Sequence, residues 1–235
     1  TCPDEEHDHE HGEEVTPFVD LASCRVDARG EYRNPMEGIT AIRFRGNHTE
    51  YRHHEIEEGE IGTTFRNRGG DARLEVEHAP IGDWRGVVGM QYTDFDFSSL
   101  GGESFVPKTE SRALALFAVE EYRLNDQWRF ELGARQERQR LRPEDRPGEA
   151  LPDLKQDSTS LSAAANWAFV PGYELVLSVG HSERAPSAQE LYAEGVHLAT
   201  NTYECGLLSA CGGGQRDLDD EISLNANLNL RKTQG

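Results

Sequence analysis

Long segments of this chain alternate apolar and polar residues with a period of two. In "SLSAAANWAFV", Leu161, Ala163, Ala165, Trp167 and Phe169 fall on one face, and Ser160, Ser162, Ala164 and Asn166 on the other. After "VPG", Tyr173, Leu175, Leu177 and Val179 continue an apolar face against Glu174, Val176 and Ser178. "WRGVVGMQYTDF" sets Trp84, Val88, Met90 and Tyr92 against Arg85, Gln91 and Thr93, and "RFELGARQERQR" sets Phe130, Leu132 and Ala134 against Arg129, Glu131 and Arg135. Successive side chains of a strand point to opposite faces, so such runs predict strands, each with one apolar face.

The connections carry a second regularity. Short turn signals stand at Asn34–Gly38, Pro80–Asp83, Leu124–Gln127 and Val170–Gly172. They are rich in Gly, Pro, Asn and Asp, which supply the backbone angles of tight turns. Between them lie longer polar links, near Arg52–Ile61, Phe97–Glu110, Leu141–Asp157 and His181–Asp217. Strict alternation of short and long connections suits an antiparallel transmembrane β-barrel, with short turns on the periplasmic side and long loops outside. Trp84, Trp128, Trp167, Phe169 and Tyr173 lie beside the short turns, where an interfacial aromatic girdle belongs. A propeller blade would divide each repeat into four short strands. A soluble sandwich would place turns every 8–12 residues or so. The chain is therefore expected to be all-β, with about nine or ten long strands across residues 1–235.

Composition fits this reading. The net charge is −19, and only 36% of the 235 residues are hydrophobic. Acidity on this scale, without a basic aromatic stripe, argues against nucleic acid as a partner. No run of about 18 apolar residues exists to make a transmembrane helix, but a barrel does not need one. The opening "TCPDEEHDHE" has neither the basic start nor the apolar segment of a signal peptide. The expectation is a portion of a longer chain, and about ten strands by themselves would leave two open edges, which lipid does not tolerate.

Two features bear on metal chemistry. Asp4–Gly12 holds three histidines and five acidic residues. His7, Asp8, His9, Glu10 and His11 offer the imidazole and carboxylate donors that zinc takes. The segment reads either as a solvated acidic run or as an external loop, over 1–19, that captures ions. The four cysteines form no CxxC pair. Cys205 and Cys211 bracket a short polar loop and suit a disulfide in an oxidising compartment, and Cys2 with Cys24 is a weaker second pair. No nucleophile–base–orienter set or phosphate loop is present, so no enzyme is expected.

Ser182–Gly206, "SERAPSAQELYAEGVHLATNTYECG", resembles a stretch of TonB-dependent outer-membrane receptors, and "LDDEISLNANLNLR" resembles their following strand. Within that family the chain is most similar to the zinc-uptake (ZnuD-type) receptors. "YRHHEIEEGEIGTTFRNRGGDARLEVEHAPIG", "FAVEEY" and "LPDLKQ" carry the likeness, together with the His- and acid-rich segment. The resemblance implies part of a barrel of about 22 strands closed by an N-terminal plug, with no plug in this chain. It implies a bacterial outer-membrane location, energy from the TonB–ExbB–ExbD complex through the plug, and zinc as the transported ion. It also implies Glu55 and His197 as the barrel's zinc ligands, with the remaining ligands on the plug. His53 joins them as a possible donor, since residues two apart in a strand share a face. Two other functions stay open: a receptor for haem or a siderophore, and a passive porin-like channel.

Overall fold

The computed structural model describes residues 18–57, 59–102, 104–197, 202–213, 218 and 220–233. The long strands are β1 (Phe18–Met36), β2 (Ile39–Glu57), β3 (Glu60–His78), β4 (Trp84–Gly101), β5 (Thr109–Arg123), β6 (Trp128–Pro143), β7 (Leu154–Val170) and β8 (Tyr173–Arg184). Then follow a short helix α1 (Ala188–Tyr192), a small hairpin β9 (Glu194–His197) and β10 (Thr202–Cys205), and a last long strand β11 (Glu221–Lys232). Nine strands make one sheet, in the order β1 to β8 and then β11, while β9 and β10 pair apart from it. Every neighbouring pair is antiparallel. Among the described residues, β1 and β11 are the edges of the sheet.

All four short connections fall at the expected turns. Between β7 and β8, Pro171 precedes Gly172, whose φ is 84°. Proline presets the first central position of such a turn, and glycine alone takes the positive φ of the second without strain. Between β5 and β6, the Asn125 side-chain oxygen accepts hydrogen bonds from the Gln127 and Trp128 backbone N–H groups at 2.9 and 2.8 Å. Asparagine thus replaces a backbone acceptor and closes the turn.

The register fixes the two faces. His53 stands opposite Phe65, which stands opposite Ser99, and Asp71 stands opposite Asn47 and Thr93. One face therefore carries Arg43, Asn47, Asp71, Arg73, Glu77, Gln91, Arg135 and Glu137, the pattern of a polar barrel interior. Its charges are matched: Arg43 to Glu77 at 2.6 Å, and Arg129 and Arg231 to Glu174 at 3.3 Å each. The other face carries Val88, Met90, Leu114, Leu116, Leu132, Leu161 and Leu177, all exposed. An exposed apolar face of this length makes sense where the surrounding medium is lipid. The ring pairs Trp84–Tyr122 and Trp128–Trp167 line its short-turn edge.

One expectation needs correction. Arg52–Ile61 is not a long polar link, because β2 runs to Glu57 and β3 begins at Glu60. Strands of 18 or 19 residues exceed the roughly 9–11 that span a bilayer. The surplus stands beyond the apolar band, so its sequence turns polar while its backbone stays paired, and part of it is buried under the loops, Thr63, Phe65 and Ser99 among it. Likewise β1 starts at Phe18, so Phe18 and Val19 leave the proposed 1–19 loop. Residues 1–17 lie outside the described residues, and with them Cys2, His7, Asp8, His9, Glu10 and His11.

The hydrophobic core lies at the long-loop end. One cluster joins Leu141, Leu151, Leu191, Tyr192 and Leu208; another joins Phe65, Phe105, Val106 and Ala193. Of the link read as polar from His181 to Asp217, His181–Arg184 belong to β8, and Leu191, Tyr192, Ala193 and Leu208 pack as a cap over the strand ends.

Candidate metal site

Helix α1 begins the cap. Its N-cap Ser187 and Glu190 form a reciprocal capping box: the Ser187 hydroxyl accepts from the Glu190 N–H at 3.3 Å, and the Glu190 carboxylate accepts from the Ser187 N–H at 2.7 Å. Arg184 donates to both Glu190 carboxylate oxygens, at 2.8 and 3.0 Å. The Arg184 guanidinium, then the Ser187 N–H, hold the Glu190 carboxyl well below its ordinary range, at about 2. Leu191 and Tyr192 are fully buried. The Tyr192 hydroxyl donates to the Pro152 carbonyl at 2.8 Å, and burial pushes its pKa up.

The disulfide loop closes the other end of the helix. Cys205 and Cys211 are bonded, and the loop's N–H groups point at the helix's last carbonyls. Gly206 donates to Ala193 at 2.6 Å, Leu207 to Glu190 at 3.0 Å and Leu208 to Leu191 at 2.7 Å. A helix of five residues satisfies few carbonyls by itself, here those of Ser187 and Gln189, so this outside capping is what lets it persist. Cys24 is a free, exposed cysteine. It stands in β1 opposite Glu50, and the bridge suggested to Cys2 reaches outside the described residues.

From this base the hairpin β9–β10 carries His197. His197 stands opposite Thr202, and Gly195 stands opposite Glu204, so His197 and Glu204 are diagonal neighbours on one face. Nδ1 of His197 lies 3.4 Å from a Glu204 carboxylate oxygen. The His197 ring also lies against Phe105, with centroids 4.8 Å apart. Phe105 reaches Phe65 edge-on at 6.2 Å, and Phe65 stacks on His53 at 4.5 Å. Two imidazoles thus stand at the ends of a run of phenyl rings. Nδ1 of His53 is buried without a hydrogen-bond partner. Glu55 lies two residues on, on the same inner face of β2, opposite Thr63.

The rings separate donors that the sequence reading grouped together. Among the described residues, no three His, Cys, Asp or Glu side chains converge to hold a metal ion. Glu55, His53 and His197 therefore do not complete a coordination sphere among the described residues. His54, on the other face, bonds Thr64 Oγ1 through Nδ1 at 2.8 Å.

Sequence reasoning missed Arg146. Its guanidinium donates to the Phe105 carbonyl at 3.2 Å, to the Glu194 carboxylate at 3.0 Å, and to the Tyr192 carbonyl. Three loops meet on that side chain. It missed Glu204 as well, although the alternation of "GVH" and "TYE" would pair the two once a hairpin is assumed.

The family described as TonB dependent receptor-like, beta-barrel, matches residues 18–235, nearly the whole chain. The chain belongs to the TonB-dependent receptor β-barrel family. Its fold is also that of a solved structure titled "Copper transporter OprC", with a TM-score of 0.72 at 12% identity. That likeness covers 92% of this chain and 36% of the other, so the chain spans about a third of the structure it matches. At such identity the likeness concerns the fold alone.

Proposed function

We propose that this chain forms part of the wall and mouth of an outer-membrane receptor that takes up zinc with energy from the TonB–ExbB–ExbD complex. One observation supports the reading: in a TonB-dependent receptor barrel, His197 stands on a braced hairpin at one end of a run of phenyl rings, with His53 at the other end and Glu55 two residues on. Imidazole nitrogen and carboxylate oxygen are the donors zinc takes. His197 and Glu55 are the barrel's ligands in this reading, with His53 as a possible third. The plug supplies the rest. An incomplete sphere suits cargo, because an ion shared between two parts is released when one of them moves. His7, His9 and His11, with Asp8 and Glu10, collect ions ahead of this site.

Calorimetry on the full-length protein tests the proposal, with zinc, copper and haem as separate titrants. Copper is included because the structural neighbour's title names it. Zinc should bind, and His197→Ala should weaken it at least tenfold, on the scale of losing one ligand or its support. Unchanged zinc affinity in that variant, or binding of haem alone, overturns the proposal.

A further inference from the structure

Strands β3 and β5 are not neighbours in the sheet, yet they touch on both faces of β4. On the inner face the Arg73 guanidinium lies over the Phe117 ring, 4.0 Å from its centre. On the outer face Nε2 of His78 lies 3.1 and 3.3 Å from the two carboxylate oxygens of Glu120. Two glycines of β4 leave room for these crossings. A Cβ at Gly89 would stand 2.3 Å from the Phe117 ring, and one at Gly86 would stand 2.4 Å from a Glu120 carboxylate oxygen.

The two crossings differ in chemistry. A guanidinium keeps its charge at every ordinary pH. His78 need not: its Nδ1 faces the Ala79 carbonyl at 2.8 Å while Nε2 faces Glu120. A carbonyl and an ionised carboxylate only accept, and a neutral imidazole has one N–H to give. Both contacts are satisfied only when a second proton sits between Nε2 and the carboxylate. The pair is half-buried, with side chains 19% and 29% exposed, and Glu120 lies two residues in from the Trp84–Tyr122 ring pair. Among the described residues, Glu120 of β5 is the charged group in contact with the ring. Gly86 of β4 brings no charge, Ile39 of β2 stands opposite His78, and Leu132 of β6 stands opposite Glu120. Glu77, beside His78 in β3, points to the inner face, where Arg43 holds it.

We propose that His78 and Glu120 form a proton-dependent latch at the short-turn edge of the wall, fastening β3 to β5 across β4 for as long as they hold that proton. When the proton leaves, two acceptors face each other. The latch therefore holds at lower pH and opens as pH rises. The Arg73–Phe117 crossing stays closed throughout. The latch belongs to the wall, and it does not depend on which cargo the receptor takes.

Hydrogen exchange on the full-length protein in detergent micelles tests this, with each rate divided by the intrinsic rate at that pH. The probes are the Ala79 and Ile81 amides, which donate to the Gly38 and Trp84 carbonyls at 2.8 and 2.9 Å. Their protection in the wild type should fall about tenfold between roughly pH 6 and 9, the scale of one hydrogen bond to a charged group. His78→Gln donates without titrating, and Glu120→Gln can give or accept a hydrogen bond, so each should keep one level of protection over that range. Phe117→Leu should lower protection by the same factor at every pH. Flat protection in the wild type overturns the inference, as does a fall that persists in either glutamine variant. A fall that disappears in Phe117→Leu overturns it too, because the pH dependence would then belong to the other crossing.

Discussion

Arg146 ties together loops that lie far apart in sequence. Its partners Phe105, Tyr192 and Glu194 are 41, 46 and 48 residues away. In "PEDRPGEA" it looks like one more solvated loop charge. Nothing local marks it, because what it does depends entirely on which carbonyls tertiary folding brings near. Removing it leaves a half-buried carboxylate and a carbonyl without their donor. Each such loss costs about 1–3 kcal/mol. Arg146→Ala should therefore speed hydrogen exchange at Glu194–His197 and leave amides of β4–β7 within the lipid band unchanged. Equal protection of the hairpin in variant and wild type would refute this. His197 differs from Arg146 in legibility. Its family motif singled it out, yet the rings between it and His53 come from Phe65 and Phe105, which no spacing rule connects.

At the scale of elements, the strands and short turns were legible and the cap was not. A strand's two faces obey a period of two that any window reveals, and Pro171-Gly172 or Asn125 announce their turns from within. The capping box is equally local, since Ser187 and Glu190 sit three apart in the sequence. The far end of α1 is capped by the disulfide loop, and that contact spans a separation no pattern reports. The box carries a pH dependence. Glu190 has its carboxyl held at about 2, against an ordinary 4.5. A carboxyl lowered on folding gives its full stabilisation above the ordinary value, and loses it as pH falls through the folded one. Arg184 stays charged throughout, so the cap should loosen between about pH 4.5 and 2. Fluorescence or exchange at the cap would follow the change. Glu190→Gln should remove this acid step; an identical acid profile in that variant would show that another group governs it.

The whole molecule is made of two materials. The wall is a sheet whose outer side meets lipid and whose inner side is lined with matched charges. The mouth is a packed cap with its own apolar clusters. Ion capture belongs to this scale, since it concerns how quickly cargo reaches the mouth. Deleting Glu5–His11 in the full-length protein should slow zinc uptake at low zinc and have little effect when zinc is abundant. Equal loss at every concentration would point to a folding role for the segment. The overall class was legible because lipid imposes one rule on every strand at once. The proposed metal site was only half legible, because its candidate donors sit on strand ends and loops whose relative placement depends on the cap.

The cap's private core has a consequence seen from outside the cell. Loops without a core present a changing outline, whereas these hold one relief, fastened by Tyr192, Arg146 and the Cys205–Cys211 link. An antibody raised against that relief would recognise a shape assembled from three distant stretches of chain. It should lose its target when the protein is unfolded and reduced, even though every residue it touched is still there.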